Sequence, residues 1–262
     1  MNPALSIIIA TQNCIEDLGC CLDSVFDQNF SDFEVLVVDG ASTDGTVALI
    51  KSHEKRLAWW KSEPDSGIYD AWNKAAHHAN GEWLLFIGAD DTFIDADSLG
   101  LAAASLVTRT TEQTDLAYSK VQVTSKLGEL IDVWGKPPED ILWQLRHGMP
   151  YHLCHSAMFH RRAAVESIGG FDASRRVAGD YDLIIRLAID NPGAIAFFPD
   201  ITLLKKGADG ISKSGAHIGI WETMLARRKR GFRGLTIPWF LIWSRAVVRH
   251  WIRKVLSIVG QQ

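Results

Sequence analysis

Apolar residues over the first ninety positions gather in short runs that alternate with stretches of helical spacing. Leu5 to Ala10, Glu34 to Asp39 and Leu57 to Lys61 have strand length, while Ile15 to Phe26, Ser42 or Thr43 to His53, and Gly67 to Ala79 carry helical patterns between them. The most continuous run, Trp83 to Ile87, is bounded by Gly81 and Gly88 and reads as a buried strand. Strands and helices in this order predict an α/β fold with a mostly parallel central sheet and right-handed crossovers. The second half is less regular. Asp97 to Val107 reads as a helix, and Leu116 to Val133 as strands turning at Lys126-Leu127-Gly128. Ser156 to Phe159 reads as a return to the sheet, Asp180 to Ile189 and His217 to Arg230 as helices, and Pro137-Pro138 as a loop.

The length, 262 residues, suits one large domain or two intimate subdomains. The net charge of −4 conceals an asymmetry: from Lys213 onward there are ten Lys or Arg and a single acid, Glu222, which leaves 17 basic and 30 acidic residues in the body. An acidic body argues against nucleic-acid binding, and a basic tail is suited to an anionic surface. Cys14, Cys20, Cys21 and Cys154 form no CxxC pair, so reduced thiols in a cytoplasmic protein are expected. A strand begins at Leu5 without a basic, cleavable leader before it, so no secretory signal is expected.

No apolar run reaches the ~18–20 residues that span a bilayer. Beyond Gly234, however, Arg245, Arg249 and Arg253 recur on one helical face, and Trp239, Trp243 and Trp251 add rings of the kind that favour a membrane interface. A helix packed on the body with solvated arginines is one reading of this region. Attachment to a membrane surface is the other, and the coincidence of basic face and aromatic rings favours it.

Three motifs carry candidate chemistry. "FIGADDT" places Asp90 and Asp91 at the carboxyl end of the buried run, where open α/β sheets bind ligands. Two carboxylates so close repel unless donors or a hard divalent cation neutralise them, although an Asp-Asp turn with a helix cap has the same pattern. "VVDGASTDGT" ends a strand in Asp39, placed either to accept hydrogen bonds from a base or ribose or to hold a capped turn, with Asp44 in the first turn of the helix. It is neither GxGxxG nor GxxxxGK[ST], so dinucleotide dehydrogenases and P-loop enzymes lose support. "SEPDSGIYDAWNKA" sets Asp65 before a helix whose N-terminus can face an anion, with Lys74 on that helix.

Taken in order, "SIIIATQN", "VVDGASTDGT", "SEPDSGIYDAWNKAAHHANGEWLLFIGADD" and "GGFDASRRVAGDYDLIIRL" resemble the family 2 glycosyltransferases, in the wording of bacterial members that build exopolysaccharide, colanic-acid-like or lipopolysaccharide chains. The resemblance implies a GT-A (Rossmann-like) fold over 1–212, with 1–91 holding a nucleotide sugar, 92–212 shaping the acceptor site, and 213–262 a basic amphipathic helical tail. It implies an inverting, hexosyltransferase-type transfer from a nucleotide-diphosphate sugar, UDP rather than GDP, helped by Mg²⁺ or Mn²⁺. The acceptor would be a saccharide, lipid-linked, in cell-surface polysaccharide biosynthesis. The enzyme would then lie in the cytoplasm, peripheral on the inner face of the plasma membrane through its tail.

Residue by residue, Asp39 matches the family aspartate that recognises the base, and Asp65 a position near base and ribose. Asp90 matches the metal-binding carboxylate of the Asp-x-Asp motif, with Asp91 following it, and Asp180 in "AGDYDL" matches the catalytic base. Such a base takes the proton from an acceptor hydroxyl as that oxygen attacks the anomeric carbon. Without the resemblance, Asp180 or Asp182 would read as a helix cap. Three positions depart from the family: Gly88 stands at the first Asp of Asp-x-Asp, Trp72 where Arg is frequent, leaving Lys74 for phosphate, and Gly179 where a Glu precedes the base. His155 matches a position near acceptor or diphosphate, or is structural; His217 is a candidate further metal ligand; Arg161 and Arg162 are a diphosphate contact or a solvated pair. The departure at Gly88 leaves one rival, a catalytically silent nucleotide-sugar-binding subunit that assists a partner transferase.

Overall fold

The computed structural model of the protein describes residues 2–125, 128–147, 153–207, 216–232 and 244. Four parallel strands form its first half: β1 (Leu5–Thr11), β2 (Phe33–Asp39), β3 (Trp59–Ser62) and β4 (Trp83–Gly88), in the order β3-β2-β1-β4. The crossovers carry α1 (Ile15–Phe26), α2 (Thr46–Ser52) and α3 (Ile68–Ala76). The pattern of the first ninety residues is therefore realised element by element. Bounds shift by a few residues: β3 begins at Trp59, α3 ends at Ala76, and α2 starts late because Gly45, at φ +103°, and Asp44, which accepts from the Thr46 and Ile15 amides, delay the helix past Ser42 and Thr43.

After β5 (Asp91–Phe93) come α4 (Ser98–Arg109), β6 (Leu116–Thr124), β7 (Leu130–Trp134), α5 (Pro138–His147), β8 (Met158–Arg161), α6 (Arg162–Ser167), α7 (Gly179–Ala188), β9 (Ile195–Gly207) and α8 (Ala216–Lys229). The sheet continues from β4 through β8, β6, β9 and β5. Strand β8 is antiparallel to both β4 and β6, β6 is parallel to β9, and β5 is antiparallel to β9, while β7 pairs with β6.

Because side chains alternate across a strand, the sheet divides the core in two. Ile8, Leu36, Leu84 and Phe86 face α3 and α7, whereas Ile7, Ile9, Val37, Leu85 and Ile87 face α1, α2 and α4. Both faces are covered, which is why β1 and β4 read as continuous apolar runs.

Four elements go beyond the sequence reading: the short β5 and α6, and also α5 and β9, the last two for reasons of proline. Pro138 opens α5 rather than marking a loop, since its fixed φ and missing N–H suit a helix start. Strand β9 runs through Pro199, where its pairing with β6 slips between Phe198 and Thr202 and no amide is needed. The β6–β7 turn is present, although Lys126 and Leu127 lie outside the described residues, as does the Arg245, Arg249 and Arg253 face. No helix among the described residues is long and apolar enough to cross a membrane.

Candidate active site

The parallel register sets Ser62, Asp39, Thr11 and the end of β4 side by side along one edge of the sheet. Asp39 is wholly buried there. Its carboxylate accepts from the Ser42 amide at 2.9 Å, from the Ser62 hydroxyl at 2.6 Å and from the Ser42 hydroxyl. The bend that brings Ser42 back requires Ala41 at φ +58°, and Asn13, beyond the end of β1, stands at φ +50°. Backbone held in the left-handed region by non-glycine residues clusters at functional sites. Asn13 ties the two loops together, donating its amide to the Ser42 hydroxyl at 2.7 Å and accepting the Thr43 amide at 2.8 Å.

Asp65 joins this corner. One oxygen accepts the Gly67 amide at 2.9 Å, and the other lies so near Gly40 that a Cβ there would sit 3.0 Å from it. Gly40 is thus a close approach between Asp65 and Gln12, whose amide group donates to the Gly40 carbonyl at 2.9 Å. The structure therefore brings Asp39 and Asp65 together. It holds Lys74 in a separate cluster, 3.1 Å from Glu63 and 3.2 Å from Asp70, where the lysine links the end of β3 to α3.

At the end of β4 the two adjacent carboxylates occupy different environments. Asp91 is 1% exposed; one oxygen accepts the Gly88 amide at 2.8 Å, and the other makes no hydrogen bond but lies 3.6 Å from the Lys206 ammonium. Lys206 reaches it because Asp91 and Lys206 are register partners in the β5–β9 pair. Asp91 raises the pKa of Lys206 above the ordinary lysine range, so the ammonium stays charged. Asp90 instead reaches solvent at its tip, and partial burial, followed by the charge of Asp91, raises its carboxyl above the usual range. A Cβ at Gly88 would sit 2.7 Å from Asp90, so the glycine makes room for that carboxylate to fold back over β4.

This geometry decides what a divalent cation would find. Asp91 already has an amide and an ammonium for company, whereas Asp90 is the exposed carboxylate and, among the described residues, has no ion pair of its own, only the more distant charge of Lys206. One such carboxylate with substrate phosphates and water is a donor set that Mg²⁺ or Mn²⁺ accepts. Among the described residues no group of three or more His, Cys, Asp or Glu is placed to hold a metal, so His217, on the first turn of α8, completes no such cluster there.

Asp180 stands in the first turn of α7, and burial raises its carboxyl above the usual range. The Tyr181 amide donates to it at 2.8 Å, the Tyr69 hydroxyl lies 3.3 Å away, and the Lys206 charge acts on it in the opposite sense to burial. Tyr69 is held protonated by its own burial and then by the charge of Asp180. Gly179 is packed against the Tyr69 ring, where a Cβ would sit 2.7 Å from a ring carbon, so a glutamate could not stand before Asp180 without displacing α3's tyrosine.

Trp72 is core rather than cleft: it packs on Phe86, Phe171 and His155 at centroid distances of 5.5, 5.4 and 5.0 Å. His155 belongs to the same aromatic cluster, and burial holds its pKa far below the usual range. Arg161 and Arg162 lie at the far end of β4. Arg161 pairs with Glu82 at 2.5 Å and Arg162 with Glu166 at 2.9 Å, so they are the solvated pair and no diphosphate contact. The sequence reading missed Lys206, Tyr69 and Gln12. For Lys206 the available signal was "LLKKG", an apolar run closing in cations that could answer the two acids.

An open α/β sheet with acidic residues and a balancing cation outside its strand ends has the arrangement at which such sheets bind ligands. The family model for glycosyl transferase family 2 matches residues 6–169, and the chain belongs to that family. A PGL/p-HBAD biosynthesis glycosyltransferase of Mycobacterium tuberculosis is 34% identical over 265 residues, covering 97% of each chain. S. aureus TarS 1-349 in complex with UDP superposes with a TM-score of 0.64 at 20% identity, over 95% of this chain and 72% of that one. The mannosyltransferase PcManGT of Pyrobaculum calidifontis, in complex with GDP-Man and Mn²⁺, gives 0.64 at 21% identity, over 94% and 69%. The fold is thus GT-A and the protein a glycosyltransferase.

Proposed function

We propose that the enzyme transfers a sugar, with inversion, from a nucleotide-diphosphate sugar to a saccharide acceptor, lipid-linked, in cell-surface polysaccharide biosynthesis of the exopolysaccharide or lipopolysaccharide type. The observation that carries this reading is the Asp180 carboxylate in the first turn of α7, held by the Tyr181 amide and the Tyr69 hydroxyl and reached by the charge of Lys206, which also acts on Asp90 and Asp91. A raised carboxylate is a better proton acceptor at neutral pH, so Asp180 takes the proton from the acceptor hydroxyl as it attacks. Lys206 supplies fixed positive charge where the departing diphosphate gathers negative charge. Asp90 would hold Mg²⁺ or Mn²⁺, which, when bound, neutralises diphosphate oxygens. Residues 1–91 serve the donor: Gln12, Asp65 and the Asp39-braced Ser42 loop form the nucleotide corner, with the base against that loop. Residues 92–212 shape the acceptor side.

UDP is the preferred base in this reading, in keeping with the UDP complex of TarS, while the GDP-Man complex of PcManGT marks the rival base. A lipid-linked acceptor agrees with a cytoplasmic enzyme peripheral on the inner face of the plasma membrane. Exposed Trp221 and Leu225 on α8, beside Arg228 and Lys229, support contact of the C-terminal region, 213–262, with an anionic bilayer. The test is a panel of UDP- and GDP-sugars assayed for nucleoside diphosphate release with Mn²⁺ and with EDTA. One UDP-sugar should dominate, and Asp90→Ala should weaken UDP binding more in Mn²⁺ than in EDTA. Equal loss in both would remove the metal from Asp90, and tight donor binding without turnover would point to a silent subunit.

A further inference from the structure

The last fifty residues contain one acid, Glu222, and it is only 6% exposed. Its carboxylate accepts three consecutive backbone amides: Arg176 at 2.7 Å, Val177 at 2.9 Å and Ala178 at 2.8 Å. These residues lead directly into α7, whose N-cap residue, Ala178, has no side chain able to cap it. Glu222 therefore caps a helix to which it does not belong, from across the interface between α7 and α8.

We propose that Glu222 is a positioning residue for Asp180, and that through it α8 governs the catalytic base. This rests on the assignment of Asp180 as base in the proposed function. The link is a single proton. Tyr69 has one O–H, lying 2.8 Å from the Val177 carbonyl and 3.3 Å from the Asp180 carboxylate. With Val177 held by Glu222, the Tyr69 hydroxyl stays nearer the Val177 carbonyl, and its hydrogen bond to Asp180 is kept long. Val177 is held from the other side too, because a Cβ at Gly219 of α8 would sit 3.0 Å from its side chain. Release of Val177 would turn the Tyr69 proton onto Asp180, and a hydrogen bond to the charged form weakens a base. Among the described residues, the charge of Lys206 of β9 also acts on Asp180, and Lys206 is itself balanced by Asp91 and Asp90 with Cys154 nearby.

Helix α8 is anchored independently: buried Arg227 donates to the carbonyls of Leu145 and of Arg146, the latter at 3.0 Å. Removing the Glu222 charge therefore leaves the helix docked. The test compares full-length Glu222→Gln, Arg227→Gln and wild type by nucleoside diphosphate release from the UDP- and GDP-sugar panel across pH, with amide exchange at 176–178. Glu222→Gln should lower kcat about tenfold or more, leave donor KM within about threefold, and move the acid limb of the profile to lower pH. It should also speed exchange at 176–178. Arg227→Gln, which loosens the same helix elsewhere, should leave the acid limb in place. Unchanged exchange in Glu222→Gln, an unmoved acid limb, or identical profiles for the two variants would overturn the proposal. A wild type that turns over no donor would count against the proposed function instead, and amide exchange alone would then decide the role of Glu222.

Discussion

Asp91 and Lys206 meet because two strands distant in sequence become neighbours, and the half-buried Lys206 answers the charge of the fully buried Asp91. Removing one partner of such a pair leaves an uncompensated buried charge. Lys206→Met should cost about 3 kcal/mol or more, and Asp91→Asn added to it should recover part of that loss. Urea unfolding of the single and double variants checks this; a loss below about 1 kcal/mol, or no recovery, would mean the pair is incidental. His160 gives a second residue-scale expectation. Burial depresses its pKa to about 3, whereas in the unfolded chain it titrates near its ordinary ~6.5. Stability is therefore complete above about pH 6.5 and declines as pH falls toward the folded value, by up to ~1.4 kcal/mol per pH unit from this group. His160→Phe should flatten the decline between pH 6.5 and 5, with His155 retaining a share. Equal slopes in wild type and variant would contradict it.

The junction of α3 and α7 is where secondary elements, rather than single side chains, set the chemistry. Tyr69 from α3 lies flush on the backbone of Gly179, and the next residue is Asp180, the proposed base. Gly179→Ala should push the ring away and lower turnover about tenfold or more, and Tm should fall as well, since the displaced ring is buried in the core. Tm and kcat measured on one preparation check this; full activity in the variant would show that the packing is slack. Much at this scale was legible in the sequence: the alternation of elements through β4, the strand ends bearing Asp39 and Asp90, and the helix bearing Asp180. Element β9 was not, because Pro199 interrupts its apolar run and only pairing with β6 and β5 makes it a strand. Lys206 was hidden for the same reason, as its role depends on the pairing of β5 with β9. The cap that Glu222 gives α7 was equally hidden, for no local motif announces a carboxylate that serves another helix.

For the molecule as a whole, the strand ends gather the candidate groups: the Asp39 and Asp65 corner at β1 and β2, Asp90 beyond β4, Lys206 near the end of β9, and Asp180 on α7. The central claim is that these groups form one active site in which Asp180 is the proton acceptor for sugar transfer. The direct measurement is turnover and donor affinity of Asp180→Asn against wild type on the preferred donor. The account predicts a fall in kcat of at least ~10²-fold with donor affinity nearly unchanged. Near-wild-type turnover in the purified variant would contradict it.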